Sequence, residues 1–201
     1  EIFHRNKPIL AVVDIRSRYC ARLTLEDCRD AETWAIHLLD LKAQGFQPEV
    51  NISDMGAGMT KAFKDILPDT EHRFDHFHLI KVGKELVRYL KNQKKAAVTY
   101  QINVLEKMDK AKKKGKGNTL STKLNQACKE TTQAEYIYEH VSILCTWLQY
   151  DILQLGGHNP ADREKLFDFV LAELSSVAVL SHRIKSFVSS LSNQKENLLS
   201  S

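Results

Sequence analysis

The chain has 201 residues, 43% apolar and 27% charged, with a net charge of +4. This composition allows a buried core and excludes wholesale disorder, while 8 Gly and 4 Pro exclude a collagen-like or linker-dominated chain. No run approaches the ~18 uncharged apolar residues that a membrane helix needs. The four cysteines, Cys20, Cys28, Cys128 and Cys145, contain no CxxC pair. That argues against a zinc ribbon or a disulfide framework and favours a reducing cytoplasm, with the cysteines as small buried hydrophobes. A pI near 8.8 is compatible with a nucleic-acid partner. The chain starts at Glu1 without a secretory leader and ends in SNQKENLLSS without a helix stop beyond its Ser pair. It reads as a segment of a longer protein.

In chain order, PILAVVDI (8–15) is a short apolar run rich in Ile and Val, expected to be a buried strand ending in a carboxylate. After the polar turn RSRY, residues 19–26 alternate as a hairpin partner should. Asp30 is placed to cap a helix whose stripe is Trp34, Leu38 and Leu41, with Gly45 at its C-terminal end. EVNISD (49–54) reads as a second strand ending in Asp, Gly56 and Gly58 as loosening the turn after it, and MTKAFKDIL as a short helix stopped by Pro68. EHRFDHFHLIK (71–81) passes from strand into a long helix. Strands alternating with helices over residues 1–90 predict an α/β domain around one mixed sheet. From about residue 83 to the end the chain carries only helical periodicity, which predicts an all-helical second part over residues 91–201. Within 105–130, eight lysines face three acids, which predicts a basic, mobile loop near 107–118. Helices are expected over 133–155 and 161–180, the second opened by Asn159 as cap and Pro160. Trp147, Leu144, Leu148 and Phe167 read as core.

The chemistry rests on two aspartates, Asp14 and Asp54, each at the end of a strand. Open sheets place ligands at strand ends, and a pair of carboxylates there is a site for Mg²⁺ or Mn²⁺, hard cations that take oxygen ligands. The plainer alternative is that Asp14 starts a turn and Asp54 caps the following helix. Asp75 and His78, in DHFH, are placed to orient metal carboxylates or a phosphate, or are a strand-edge Asp and an ordinary satisfied His. Lys81 is placed to meet a phosphate, or is a solvated helix lysine. Lys107, Lys110, Lys112, Lys113, Lys114 and Lys116 suit sequence-independent phosphate contact, with no aromatic among them for base readout. Their alternative role is a solvated loop.

PILAVVDIRSRY, VNISDMGAGMTKAFKDILPDTEHRFDHFHLIK, WLQYDILQLGGHNPADREKLFDFVLAEL and SNQKENLL together resemble bacterial insertion-sequence DDE transposases. These carry a ribonuclease H-like, retroviral-integrase-like catalytic domain with a helical insertion. DxxH at 75–78 resembles the [C/D]xxH motif of Mutator-like and hAT-like transposases. The resemblance implies a ribonuclease H-like mixed sheet flanked by helices, followed by an all-helical insertion. It implies Asp14 and Asp54 as the first two acids of a triad that holds two Mg²⁺ or Mn²⁺ ions, with Asp75 and His78 in support. The third acid, a Glu on a helix after the insertion, is expected beyond residue 201. Inside the chain Glu173 and Glu139 are the candidates, and the alternative for Glu173, beside the Phe167, Val170 and Leu174 stripe, is a solvated surface residue. The implied activity is metal-dependent DNA cleavage and strand transfer, acting on transposon ends and target DNA in the bacterial cytoplasm, with a homodimer possible and no membrane association. The rivals are a nuclease or resolvase of the same fold and a non-catalytic DNA- or protein-binding fragment.

Overall fold

A computed structural model describes residues 2–54, 56–113, 120–154 and 159–199. It divides into two compact units, residues 1–78 and 79–199. The first is mixed α/β and the second is built of helices.

The first unit opens with three antiparallel strands, β1 (Ile2–His4), β2 (Lys7–Val13) and β3 (Cys20–Leu25), in the order β1-β2-β3. Arg5 and Asn6 link β1 to β2 with φ of 50° and 65°, and His4 pairs with Lys7. Two positive-φ residues in a two-residue loop give a turn whose twist matches that of the strands it joins. The second hairpin closes where the Asp14 N–H meets the Tyr19 carbonyl at 2.8 Å, with Arg18 left-handed at φ 61°.

Helix α1 (Ala31–Ala43) begins at Asp30, whose Oδ1 accepts the Thr33 N–H at 2.9 Å, and Gly45 follows its end at φ 91°. That backbone conformation favours glycine. Strand β4 (Val50–Ser53), helix α2 (Ala57–Ile66) and strand β5 (Glu71–Phe74) follow. Strands β4 and β5 pair in parallel, Val50 with Glu71 through Ser53 with Phe74. A parallel pair needs a crossover, and α2 supplies it. Leu10 of β2, Trp34 and Leu38 of α1, Ala62 and Phe63 of α2, and Leu67 form one buried cluster. Gly58 lies in the first turn of α2, where an added Cβ would come within 2.9 Å of the Arg29 carbonyl oxygen. Its role is close approach of α2 to the start of α1, not the loosening of a turn.

Two features differ from the sequence expectation. The single mixed sheet is, among the described residues, two small sheets. The reason lies in the edges. β3 runs along one side of β2, β1 takes residues 7–9 on the other, and the four-residue strands β4 and β5 satisfy each other. The run 8–15 is also not buried on both faces. Pro8 and Leu10 are buried, whereas Val13 of β2 and Leu23 and Leu25 of β3 are exposed.

Helix α3 (His76–Lys112) leads from the first unit into the second, which continues with α4 (Ser121–Trp147), a π-helical turn (Leu148–Ile152), α5 (Pro160–Ala178) and α6 (His182–Leu199). Asn159 caps α5 by accepting the Asp162 N–H at 3.0 Å, and Pro160 fills its first position. The helix expected over 133–155 starts earlier, at Ser121, and widens into the π-turn at Leu148. There the Leu153 N–H reaches five residues back to Leu148 at 3.0 Å, and the buried Arg163 Nε donates to the Ile152 carbonyl at 2.8 Å.

Leu144, Leu148 and Phe167 are buried, but Trp147 is 37% exposed and tilts against Phe169 at the rim. Residues 144 and 148 share a helix face that residue 147 flanks. The cysteines also depart from expectation. Cys20 and Cys28 are exposed, and Cys128 and Cys145 are half-buried. No helix among the described residues is long and apolar enough to cross a membrane.

Candidate active site

The candidate acids in the first unit all stand where a strand ends. Asp14 follows β2, and its carboxylate organises its own turn. Oδ1 accepts the Arg16 N–H at 3.1 Å, while Oδ2 accepts the Ser17 N–H at 3.2 Å and the Ser17 hydroxyl. The hydroxyl of Ser17, with the two backbone donors, holds the Asp14 carboxyl below the usual carboxylate range.

Asp54 follows β4, and its Oδ1 accepts the Gly56 N–H at 3.0 Å. A Cβ at residue 56 would press within 2.8 Å of that same oxygen, so glycine there leaves the Asp54 side chain room to turn back. Asp75 follows β5. Its Oδ1 accepts the Phe77 N–H at 2.9 Å, and its Oδ2 lies 3.0 Å from His78 Nδ1, one helical turn on. The DxxH spacing thus becomes a contact because Asp75 stands just before α3 and His78 lies in its first turn, three residues on.

The parallel register fixes how these groups meet. Ser53 pairs with Phe74, and the Asp75 N–H donates to the Ser53 carbonyl at 2.8 Å. Asp54 and Asp75 therefore leave neighbouring strands at the same end. Asp14 leaves the other sheet. Among the described residues no three His, Cys, Asp or Glu side chains form a group that could hold a metal ion.

Two residues that the sequence reading passed over support this end of the sheet. Ser53 is buried, and its hydroxyl lies 2.7 Å from His72 Nε2 and donates to the Asp54 carbonyl at 3.1 Å. His72 stacks on Phe63 and tilts against Phe74. Burial, with the nearby charge of Lys64, pushes its imidazole below the ordinary histidine value. The available signal was the alternation of His72 and Phe74 on one strand face, next to a strand that ends Ser-Asp.

A model of the DDE_Tnp_ISL3 family, described as transposase, matches residues 4–201. The chain belongs to this transposase family. Neither a curated protein nor a solved structure matches it. Membership in a transposase family places the chain in transposition and implies DNA as its partner.

The remaining candidates lie in the second unit. Lys81 is exposed on α3. Glu173, on α5, lies 3.1 Å from His140 Nε2 of α4, and Glu139 lies 3.3 Å from Lys94 Nζ. Lys107, Lys110 and Lys112 are exposed on the last turns of α3, not in a loop. Lys and Ala are good helix formers, and cations suit the C-terminal end of a helix. Lys113 follows in a turn, and Lys114 and Lys116 lie outside the described residues.

Proposed function

We propose that the chain is part of the catalytic core of an insertion-sequence DDE transposase, a metal-dependent enzyme that cleaves phosphodiesters at transposon ends and joins them to target DNA. On this reading residues 1–90 are a ribonuclease H-like core and residues 91–201 a helical insertion, and the protein works in the bacterial cytoplasm. The observation that carries the reading is the family match over residues 4–201 in a chain whose Asp54 and Asp75 leave neighbouring parallel strands together.

The donor chemistry suits a hard cation, because these groups offer carboxylate oxygens. Among the described residues the hydrogen bond to Asp54 uses Oδ1, which leaves Oδ2 to a ligand. Asp14 and Asp54 would hold Mg²⁺ or Mn²⁺, with Asp14 exchanging contacts within its own turn for the ion. A pair of such ions, when bound, supplies activation of a water or a 3′-hydroxyl and stabilisation of the departing oxygen. Asp75 orients His78, and together they position the strand end that presents Asp54. Lys81 and the lysines Lys112, Lys113, Lys114 and Lys116 neutralise DNA phosphates. The third acid is a glutamate beyond residue 201, or Glu173.

The test is a Mn²⁺ titration of the chain followed by paramagnetic resonance. Binding that Asp14→Ala and Asp54→Ala each weaken at least about tenfold supports the reading. A longer piece that carries the third acid should nick DNA where residues 1–201 do not, and full activity from residues 1–201 would refute the incomplete triad.

One observation favours a second reading. Both oxygens of Asp14 are engaged by Arg16 and Ser17, which is what a turn residue of a non-catalytic DNA-binding fragment would show. Mn²⁺ binding that neither substitution changes would select it.

A further inference from the structure

At the shared end of β4 and β5 three hydrogen bonds converge on one residue. The Ser53 carbonyl accepts the Asp75 N–H at 2.8 Å. The Ser53 hydroxyl contacts His72 Nε2 at 2.7 Å and the Asp54 carbonyl at 3.1 Å. The hydroxyl thus links the His72 imidazole to the Asp54 carbonyl through one side chain. The ring packs against two aromatics, with its centroid 5.9 Å from that of Phe63 and 5.0 Å from that of Phe74. A polar chain thus runs from an aromatic-packed imidazole through Ser53 to the backbone of one aspartate, while Ser53 also holds the backbone of the next. Serine at 53 is buried, where an unpaired hydroxyl would be costly.

We propose that His72 and Ser53 are positioning residues that fix the backbone at Asp54 and Asp75, and so set the direction in which both carboxylates leave the sheet. The inference rests on the reading of Asp54 as a metal ligand and deepens it. A carboxylate on a strand end swings with its own ψ and with that of the residue before it. Pinning the Asp54 carbonyl and the Asp75 amide to one side chain and its backbone removes that freedom before a cation arrives. Groups that hold a ligand's orientation typically govern metal affinity by 10- to 100-fold.

The substitution that isolates this role is His72→Phe, which keeps an aromatic ring beside Phe63 and Phe74 and deletes the imidazole nitrogen that meets Ser53. With Mn²⁺ affinity read by paramagnetic resonance, His72→Phe should weaken binding about tenfold while the melting temperature is retained. Ser53→Ala should weaken it as much, and the double variant should be no worse than either single one, because both delete the same chain of bonds. His72→Gln, which offers a side-chain N–H, should recover part of the loss. Asp54→Ala separates the two claims. If Asp54→Ala abolishes binding and His72→Phe and Ser53→Ala leave it unchanged, the positioning role is overturned and the metal reading stands. If Asp54→Ala itself changes nothing, both fall. Should His72→Phe fail to fold, Ser53→Ala reads the same bond from its other end, and unchanged affinity there overturns the proposal.

Discussion

At the scale of single residues, environment decides chemistry that composition leaves open. The four cysteines look alike in the sequence, yet Cys20 and Cys28 are exposed while burial pushes the Cys145 thiol up to about 12. The thiolate is the reactive form. Disulfide-exchange labelling at pH 8 should therefore modify Cys20 and Cys28 quickly and Cys145 only after denaturation, as peptide mapping of the labelled sites would show. Linkage gives a matching trend with pH. A thiol whose folded value lies above its ordinary one is held protonated in the native state, so Cys145 begins to weaken the fold as pH rises past the ordinary thiol value of 9. The candidate acids show the same contrast. Asp14 has both oxygens engaged in its turn, whereas among the described residues Asp54 gives one oxygen to Gly56.

At the scale of elements, caps and close approaches set where the helices begin. Asn159→Ala removes the acceptor for the Asp162 N–H at the start of α5 and should cost about 1 kcal/mol in denaturant unfolding. Gly58→Ala acts differently. Its Cβ would meet the Arg29 oxygen at 2.9 Å, the Asp30 carbonyl carbon at 3.0 Å and the Ala31 nitrogen at 3.1 Å. These are backbone atoms that cannot turn aside, so α2 must shift away from α1. The change should destabilise by about 1–3 kcal/mol, although alanine is the better helix former. A more stable Gly58→Ala variant would contradict the close packing.

At the scale of the whole molecule, the proposed counterpart to DNA is its basic side chains. Lys107, Lys110 and Lys112 are exposed on one continuous helix, which fixes their spacing, with Lys107 and Lys110 adjacent on one face and Lys112 turned to another. Fluorescence-anisotropy binding to duplex DNA should fall steeply with salt. Changing Lys112 and Lys113 together to Ala should lower the slope of log K against log salt by about 2, roughly one per phosphate contact, with no change in sequence preference. An unchanged slope would remove these two lysines from the interface.

The sequence determined the local features. Asp30 and Asn159 cap their helices, and Gly45 and Pro160 sit where the backbone requires them, because a cap or a fixed dihedral depends on a few adjacent residues. The stripe of Trp34, Leu38 and Leu41 is buried because helical period alone selects a face. The pairing of Asp75 with His78 follows from their three-residue spacing. Tertiary structure decided what depends on distant partners. Among the described residues the strands form two sheets because β4 and β5 pair with each other and not with β2. Trp147 stays at the rim because its neighbours on the helix face the core. Only the parallel register of β4 and β5 brings His72 to Ser53 and sets Asp54 beside Asp75, since strand pairing joins residues about twenty apart that no local pattern connects.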